Sequence, residues 1–407
     1  MSQPKWVLIG LLWAAYVLNH ADRQVLYTLF PALQAEFGLS NTMLGMMGAL
    51  FLWIYGLASP FAGVLGDRWP KPTVIAGSLA LWSFFTVLSG FAPEGYSLLV
   101  CRALLGISES LFMPAAFALM ANAHSPETRS KAIALFATSQ MVGVAFGGSL
   151  GGLIAERLSW RASFWLLGAI GLAYSWPLYK FLQRLPAHIL LPAPGAAPAR
   201  MADFFRLLRV PSLQVVSAFV AVATFGLYLV YTWLPTFLYD KFQLGLEVSG
   251  REAALYPQAG TLAGLFLGGI ASDAWRKTNP AARFWIVLMA FCAAGPCIYL
   301  LGAASALSGM RLAAAAFGFC SGLIIANQAP SAFDVVPATY RATAAGILNL
   351  VGCLVSGFAP YLGGLARGAI GIDQLMAATG ACYLLMAAII VYAALRLVPR
   401  DVARAAN

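Results

Sequence analysis

Charged residues are scarce in this chain. Asp, Glu, Lys and Arg together make up only 10% of its 407 residues, whereas 61% are hydrophobic. A soluble domain carries about 25% charged residues, so the composition excludes a soluble fold. It predicts an all-α protein that crosses the plasma membrane many times, or the inner membrane if the source is prokaryotic.

The sequence also lacks the signatures of metal, nucleotide and enzyme chemistry. Its three histidines (His20, His124, His188) are scattered, which argues against a bound metal. No phosphate-binding P-loop occurs, so transport driven by ATP in this chain is not expected. No nucleophile–base pair is evident either, and we predict that the protein is not an enzyme.

Apolar segments are the dominant feature of what is present, and they recur along the whole chain. They cover approximately residues 6–33, 41–66, 73–92, 96–122, 131–153, 160–180, 212–238, 252–272, 284–304, 310–333, 342–365 and 374–397. Each is long enough to cross a bilayer, which takes about 20 residues. The pattern predicts twelve transmembrane helices.

Polar residues divide this series into halves. The longest polar stretch, rich in Pro, Ala and Arg, predicts a linker over 183–210 between bundles of six helices at 1–182 and 211–407. With both termini in the cytoplasm, most Lys and Arg fall on the cytoplasmic side, as the positive-inside rule requires. The net charge of +10 therefore reflects membrane topology rather than nucleic-acid binding.

The two halves also repeat a short motif. A glycine, three residues and an aspartate follow the second helix (Gly63 to Asp67) and the eighth helix (Gly269 to Asp273). Parallel halves with the substrate site between them are a recurrent design of secondary transporters. The repeat predicts two pseudo-symmetric bundles.

Four ionisable residues interrupt the apolar helices. Asp22 and Arg23 lie in the first helix, and Arg102 and Glu109 lie seven residues apart, on one face of the fourth. A charge at this depth costs several kcal/mol unless it is paired or hydrated. One interpretation is a pair of buried salt bridges between the two helices. The other is function, with an arginine that binds an anionic substrate and carboxylates that carry protons.

Over nearly its whole length the chain resembles the major facilitator superfamily. The stretch from Gly63 to Lys71 is similar to the signature of that family's first cytoplasmic loop, and the glycines from Gly143 to Gly152 are similar to those of its fifth helix. The resemblance implies alternating access by a monomer that uses no cofactor. It also implies a cytoplasmic gate at Asp67 and Arg68, with Asp273 as the counterpart.

A narrower set of residues resembles the anion:cation symporter branch. It comprises Asn19, Asp22 and Arg23, the Glu36–Ser40 segment, and Arg102 with Gly106 and Glu109. That resemblance implies symport of a small organic anion, such as a monocarboxylate or sugar acid, with protons. Arg23 would bind the carboxylate, Asp22 and Glu109 would carry protons, and Arg102 would exchange partners with these acids.

Further polar residues are candidates for the cavity wall. The branch resemblance implies Tyr55, Gln140 and Asn349; His20 lies beside the charged pair; and the second half contributes Tyr228, Tyr231, Asn327 and Gln328. Spinster-like lysolipid transporters are a second resemblance, carried by Asp22-Arg23-Gln24, Ala58-Ser59-Pro60 and Leu65–Arg68. That alternative implies transport of a lysophospholipid or another amphiphile.

Overall fold

The computed structural model describes residues 3–190, 201–337 and 340–406, and every regular element in these ranges is a helix. Contacts divide the chain into two compact units. The first comprises Met1–Ala197 and Leu234–Ala254, and the second comprises Pro198–Trp233 and Leu255–Asn407. The predicted linker over 183–210 falls partly outside the described residues, and the predicted division there stays a prediction.

The helices up to residue 190 belong to the first unit. They are α1 (Gln3–Thr28), α2 (Phe30–Phe37), α3 (Asn41–Arg68), α4 (Lys71–Gly90), α5 (Gly95–Ser110), α6 (Phe112–Ala123), α7 (Pro126–Arg157), α8 (Trp160–Gln183) and α9 (Ala187–Leu190). In this unit α1 packs against α7, α4 against α8, and α3 against α5.

The remaining helices begin after residue 200. They are α10 (Met201–Leu207), α11 (Pro211–Phe242), α12 (Leu246–Arg276), α13 (Ala282–Ala303), α14 (Leu307–Asp334), α15 (Arg341–Ala369), α16 (Ile372–Tyr392), a π-helical turn (Ala393–Leu397) and α17 (Val398–Ala406). In the second unit α13 packs against α14 and α16.

Length and hydropathy indicate which of these helices could cross a membrane. Among the residues that the structure describes, nine helical segments are long and apolar enough to cross a bilayer. Helices α1, α8 and α12 are outside that set, and in α1 the apolar run is interrupted by Asn19, His20, Asp22 and Arg23. The twelve-helix count and the cytoplasmic position of both termini stay predictions.

Prolines break two segments that the sequence predicted as single helices. Pro31 has no N–H for the Tyr27 carbonyl, and the first segment is divided at Leu29 into α1 and α2. Pro114 likewise leaves the Ser110 carbonyl without its helical donor, and the fourth segment is divided at Leu111. The second break lies two residues after Glu109.

Candidate functional site

The polar stretch of α1 lies inside the first unit. Asn19, His20, Asp22 and Gln24 are each at most 5% exposed. Burying polar groups is costly unless they find partners, so their neighbours determine what this stretch does.

Glycines of α7 set how closely α1 is held. A Cβ atom built on Gly147 would lie 2.5 Å from the Ala21 carbonyl oxygen, so only glycine permits this contact. The same approach to a backbone oxygen recurs one turn earlier, at Gly143 against Val17, and one turn later Gly151 faces the Val25 side chain. Four-residue spacing keeps one stripe of α1 against α7. Asp22 and Arg23 lie off that stripe and contact α3, α4 and α5 instead.

Arg23 forms an ion pair with Glu109 of α5. Its Nη2 lies 2.6 Å and its Nε 2.8 Å from the same carboxylate oxygen, Oε2. The guanidinium carbon is 4.6 Å from the centre of the Phe51 ring and 5.1 Å from that of Tyr55. The Arg23 side chain is 11% exposed whereas that of Glu109 is 1% exposed, so the cation is the accessible member of the pair.

Helix α3 is close to α5 because of another glycine. A Cβ on Gly106 would lie 2.9 Å from the Phe51 carbonyl oxygen and 3.2 Å from the Tyr55 nitrogen. Gly106 lies three residues before Glu109 and on the same face of α5. The glycine therefore brings the two aromatic rings of α3 to the ion pair.

Asp22 has a different environment from Glu109. Its Oδ2 accepts a hydrogen bond of 3.2 Å from the Thr86 hydroxyl of α4, and Thr86 is fully buried. Among the described residues no hydrogen-bond donor reaches Asp22 Oδ1, and no arginine lies within ion-pair distance of either oxygen. The structure thus places the two acids in one region but pairs only Glu109 with a cation.

Arg102 is buried at 2% exposure beside the two acids. Its guanidinium carbon is 5.8 Å from the centre of the Phe164 ring of α8. Within the described chain its Nε and Nη2 donate to no acceptor. The Arg102 side chain is therefore less accessible to a substrate than the Arg23 side chain. The role of Arg102 in substrate binding stays a prediction.

The other predicted residues of the first unit are dispersed around this centre. The His20 ring meets Tyr16 edge-on at 4.6 Å between centroids. Tyr55 contributes its ring to Arg23, as described above. Gln140 is half-buried on α7, three residues before Gly143. Their substrate contacts remain predictions.

The predicted residues of the second unit differ in accessibility. Tyr228 and Tyr231 pack edge-to-face at 6.0 Å, with Tyr231 buried. Asn327 is fully buried and donates to the Leu323 carbonyl of its own helix, whereas Gln328 is half-buried. Asn349 is exposed on α15. These residues too stay predictions as substrate contacts.

The gate residues are described only in part. The side chains of Asp67 and Arg68 lie outside the described residues. Asp273 accepts a 2.9 Å hydrogen bond from Arg283, and its role as a gate stays a prediction. Arg283 also binds Asp334 at 2.7 Å.

Asp334 is the centre of this cluster at the ends of α12, α13 and α14. Arg276 donates to both of its carboxylate oxygens, at 2.9 and 3.0 Å. Asp334 was not among the predicted residues, although an acid at the end of a long apolar segment was a usable signal. Phe51, Thr86 and Phe164 were also missed.

Comparisons with known proteins agree with this fold. The model of the Major Facilitator Superfamily matches residues 12–360. An MFS-type efflux pump of Mycolicibacterium smegmatis is 30% identical over 295 residues, which cover 70% of this chain and 66% of that protein. A hexuronate transporter of Bacillus subtilis is 28% identical over 286 residues, covering 68% and 67%. The matched segment thus spans about two thirds of both relatives.

One Escherichia coli relative matches over a longer range. A 3-(3-hydroxy-phenyl)propionate transporter is 25% identical over 379 residues, which cover 89% of this chain and 88% of that protein. Among solved structures, a bacterial homologue of the human lysosomal transporter Spinster, inward-facing and occupied, superposes with a TM-score of 0.82 at 20% identity, covering 98% and 99%. At that identity the likeness shows the fold alone.

Proposed function

Because the chain belongs to the Major Facilitator Superfamily and is a multi-pass membrane protein, we propose that it is a proton-coupled symporter of a small organic anion. One observation carries the proposal. The partly exposed guanidinium of Arg23 is held by a single oxygen of the buried Glu109 carboxylate. A substrate carboxylate that binds Arg23 competes directly with Glu109 for the same donors.

This competition couples the anion to a proton. A carboxylate that loses its cation in a dry interior is strongly destabilised, and protonation relieves the cost. Substrate on Arg23 and a proton on Glu109 therefore favour one another. Asp22 supplies a second proton-carrying group, held by the Thr86 hydroxyl. With the anion and the proton bound, the binding site then opens to one side of the membrane and afterwards to the other, and the proton gradient drives net transport.

The relatives support an anionic substrate. Their names include hexuronate, galactarate/D-glucarate, L-galactonate and 3-(3-hydroxy-phenyl)propionate. All of these are carboxylates, and an arginine fork suits a carboxylate group. We assign the chain a monocarboxylate or a sugar acid on this basis.

Uptake into proteoliposomes tests the function directly. Purified protein should accumulate a radiolabelled hexuronate, aldonate or arylpropionate when the outside is made acidic, and should not do so when a protonophore collapses the gradient. A second candidate is export of a lysophospholipid or another amphiphile. The efflux-pump relative supports the direction of transport in this candidate, although its name gives no substrate. Transfer of a fluorescent lysophospholipid without any gradient-driven uptake of acids would overturn the symport proposal.

Arg23→Lys tests the carboxylate clamp. Lysine keeps the charge but loses the planar fork, so the KM for the anion should rise about tenfold or more, as expected for weakened hydrogen bonds to a charged group. Arg161→Lys is the matched control, because Arg161 also pairs with a carboxylate, that of Glu36, and lies over an aromatic ring. An unchanged KM in Arg23→Lys would argue against the clamp.

A further inference from the structure

A groove between α4 and α8 lies apart from the charged centre. It has a volume of about 220 Å³ and is lined by Thr73, Ala76, Gly77, Ser175, Trp176 and Tyr179. A Cβ atom built on Gly77 would have no atom within 4 Å, so the groove is open where this glycine lies. The proposed transport cycle makes no use of it.

The groove lies at the end of both helices. Thr73 is in the first turn of α4, which begins at Lys71, and Trp176 and Tyr179 are in the last two turns of α8, which ends at Gln183. Trp176 is 62% exposed. Tyrosine and tryptophan concentrate where hydrocarbon meets the headgroups of a bilayer. On this composition we expect the groove to lie at the headgroup level.

One end of the groove carries positive charge. The Lys180 ammonium lies 4.6 Å from the centre of the Trp176 ring. Lys180 is exposed, and within the described residues it forms no ion pair. None of the six lining residues is acidic. A negatively charged group at this end would meet the Lys180 ammonium.

We propose that this groove binds a membrane phospholipid with an anionic headgroup. The acyl chain near the glycerol lies against Ala76 and Gly77, the Thr73 hydroxyl faces the polar linkage, and Lys180 binds the phosphate. The apolar wall selects a lipid over a free anion. The basic end selects an anionic over a zwitterionic headgroup, because each basic side chain near an anionic surface is worth about 1 kcal/mol, or about fivefold in binding.

Quenching of Trp176 by brominated lipid tests the proposal. The full-length protein is reconstituted in bilayers of fixed phosphatidylglycerol and phosphatidylcholine content, with bromine on the acyl chain of one lipid or the other. Subtracting the emission of Trp176→Phe isolates the signal of this residue. Quenching should indicate about fivefold enrichment of phosphatidylglycerol, which Lys180→Gln should abolish. Gly77→Phe, which fills the groove, should reduce quenching by either lipid.

Lys241→Gln is the matched control, since Lys241 also lies over an aromatic ring, that of Phe237, and neither residue lines this groove. It should leave the enrichment unchanged. Equal quenching by both brominated lipids in the wild type would overturn the proposal. So would loss of the enrichment when inorganic phosphate replaces chloride at the same ionic strength, because the site would then bind free phosphate.

Discussion

The two buried acids of the first unit have partners of different kinds. Glu109 is held by the cation of Arg23, and Asp22 accepts from the neutral hydroxyl of Thr86. In the proposed mechanism, a carboxylate ligand on Arg23 displaces Glu109 and leaves the bond between Asp22 and Thr86 intact. The proposal therefore gives the two acids separable roles: Glu109 responds to the substrate, whereas Asp22 keeps its donor on α4.

Thr86→Val removes the donor to Asp22 and keeps the shape of the side chain. A buried hydrogen bond to a charged group is worth about 1.5–3 kcal/mol, so uptake driven by a pH gradient should fall about tenfold. Exchange of labelled for unlabelled substrate, which needs no net proton movement, should change little. Thr86→Ser retains the hydroxyl and should retain uptake. Equal uptake by the Val and Ser variants would show that this bond has no part in coupling.

At this scale the sequence identified the charged residues but not all of their neighbours. Asp22, Arg23, Arg102 and Glu109 stand out because a charge in an apolar segment needs a reason. Thr86 does not stand out, because hydroxyl side chains in membrane helices commonly bond to their own backbone, as Thr86 also does to the Trp82 carbonyl. Only the fold shows which threonine faces an acid.

At the scale of helices, the contact between α1 and α7 positions the charged stretch. Gly147→Ala adds one methyl group at 2.5 Å from the Ala21 carbonyl oxygen, and neither backbone moves easily. Overpacking of this kind costs about 1–3 kcal/mol. The melting temperature in detergent should fall by several degrees, together with uptake. Gly346→Ala on α15, where a Cβ meets nothing within 4 Å, should melt like the wild type; if both variants behave alike, the contact is not tight.

A second helix contact should respond to pH. Glu36 of α2 accepts hydrogen bonds from the Trp160 indole and from Arg161 at the start of α8, and these bonds lower the pKa of Glu36. Because the pKa of Glu36 is lower in the folded state, its ionised carboxylate stabilises the protein when the pH is above the pKa of the unfolded chain, about 4.3. This stabilisation is lost as the pH falls through the pKa of the folded state. Glu36→Gln should therefore lower the melting temperature at pH 7 and have a smaller effect near pH 4. An effect independent of pH would exclude an ionic contribution.

The apolar pattern predicted the helices but not where they begin and end. The sequence predicted helices over 212–238 and 252–272, whereas the structure has Pro211–Phe242 and Leu246–Arg276. The added turns contain Asp240, Lys241, Glu247 and Arg251, which hydropathy assigns to loops. They are nevertheless helical, with the backbone N–H of Glu247 bonded to the Glu156 carboxylate and Arg251 paired with Glu247.

For the whole molecule, the family could be predicted and the cargo could not. Repeated apolar segments and the duplicated loop motif depend on the bilayer and on the fold, and the family match over 12–360 agrees with them. The relatives include a hexuronate transporter, a 3-(3-hydroxy-phenyl)propionate transporter and an efflux pump. Their sequences are similarly identical to this chain, at 28%, 25% and 30%. Function on a shared fold depends on side chains at the site. A panel of substrates is therefore needed to choose among them.

Coupling is a property of the whole transport cycle, and Glu109→Gln tests it. Glutamine keeps the size of the side chain but neither binds a proton nor neutralises Arg23. Substrate should still bind Arg23, so exchange across the proteoliposome membrane should continue. Accumulation driven by a pH gradient should be lost, because Glu109 is the acid that competes with the substrate for Arg23, and Asp22, bonded to Thr86, has no such link to the substrate. Glu36→Gln, which also loses an arginine partner, should accumulate normally. If Glu109→Gln accumulates substrate like the wild type, the proton travels on another group, and Asp22→Asn becomes the variant that should abolish coupling.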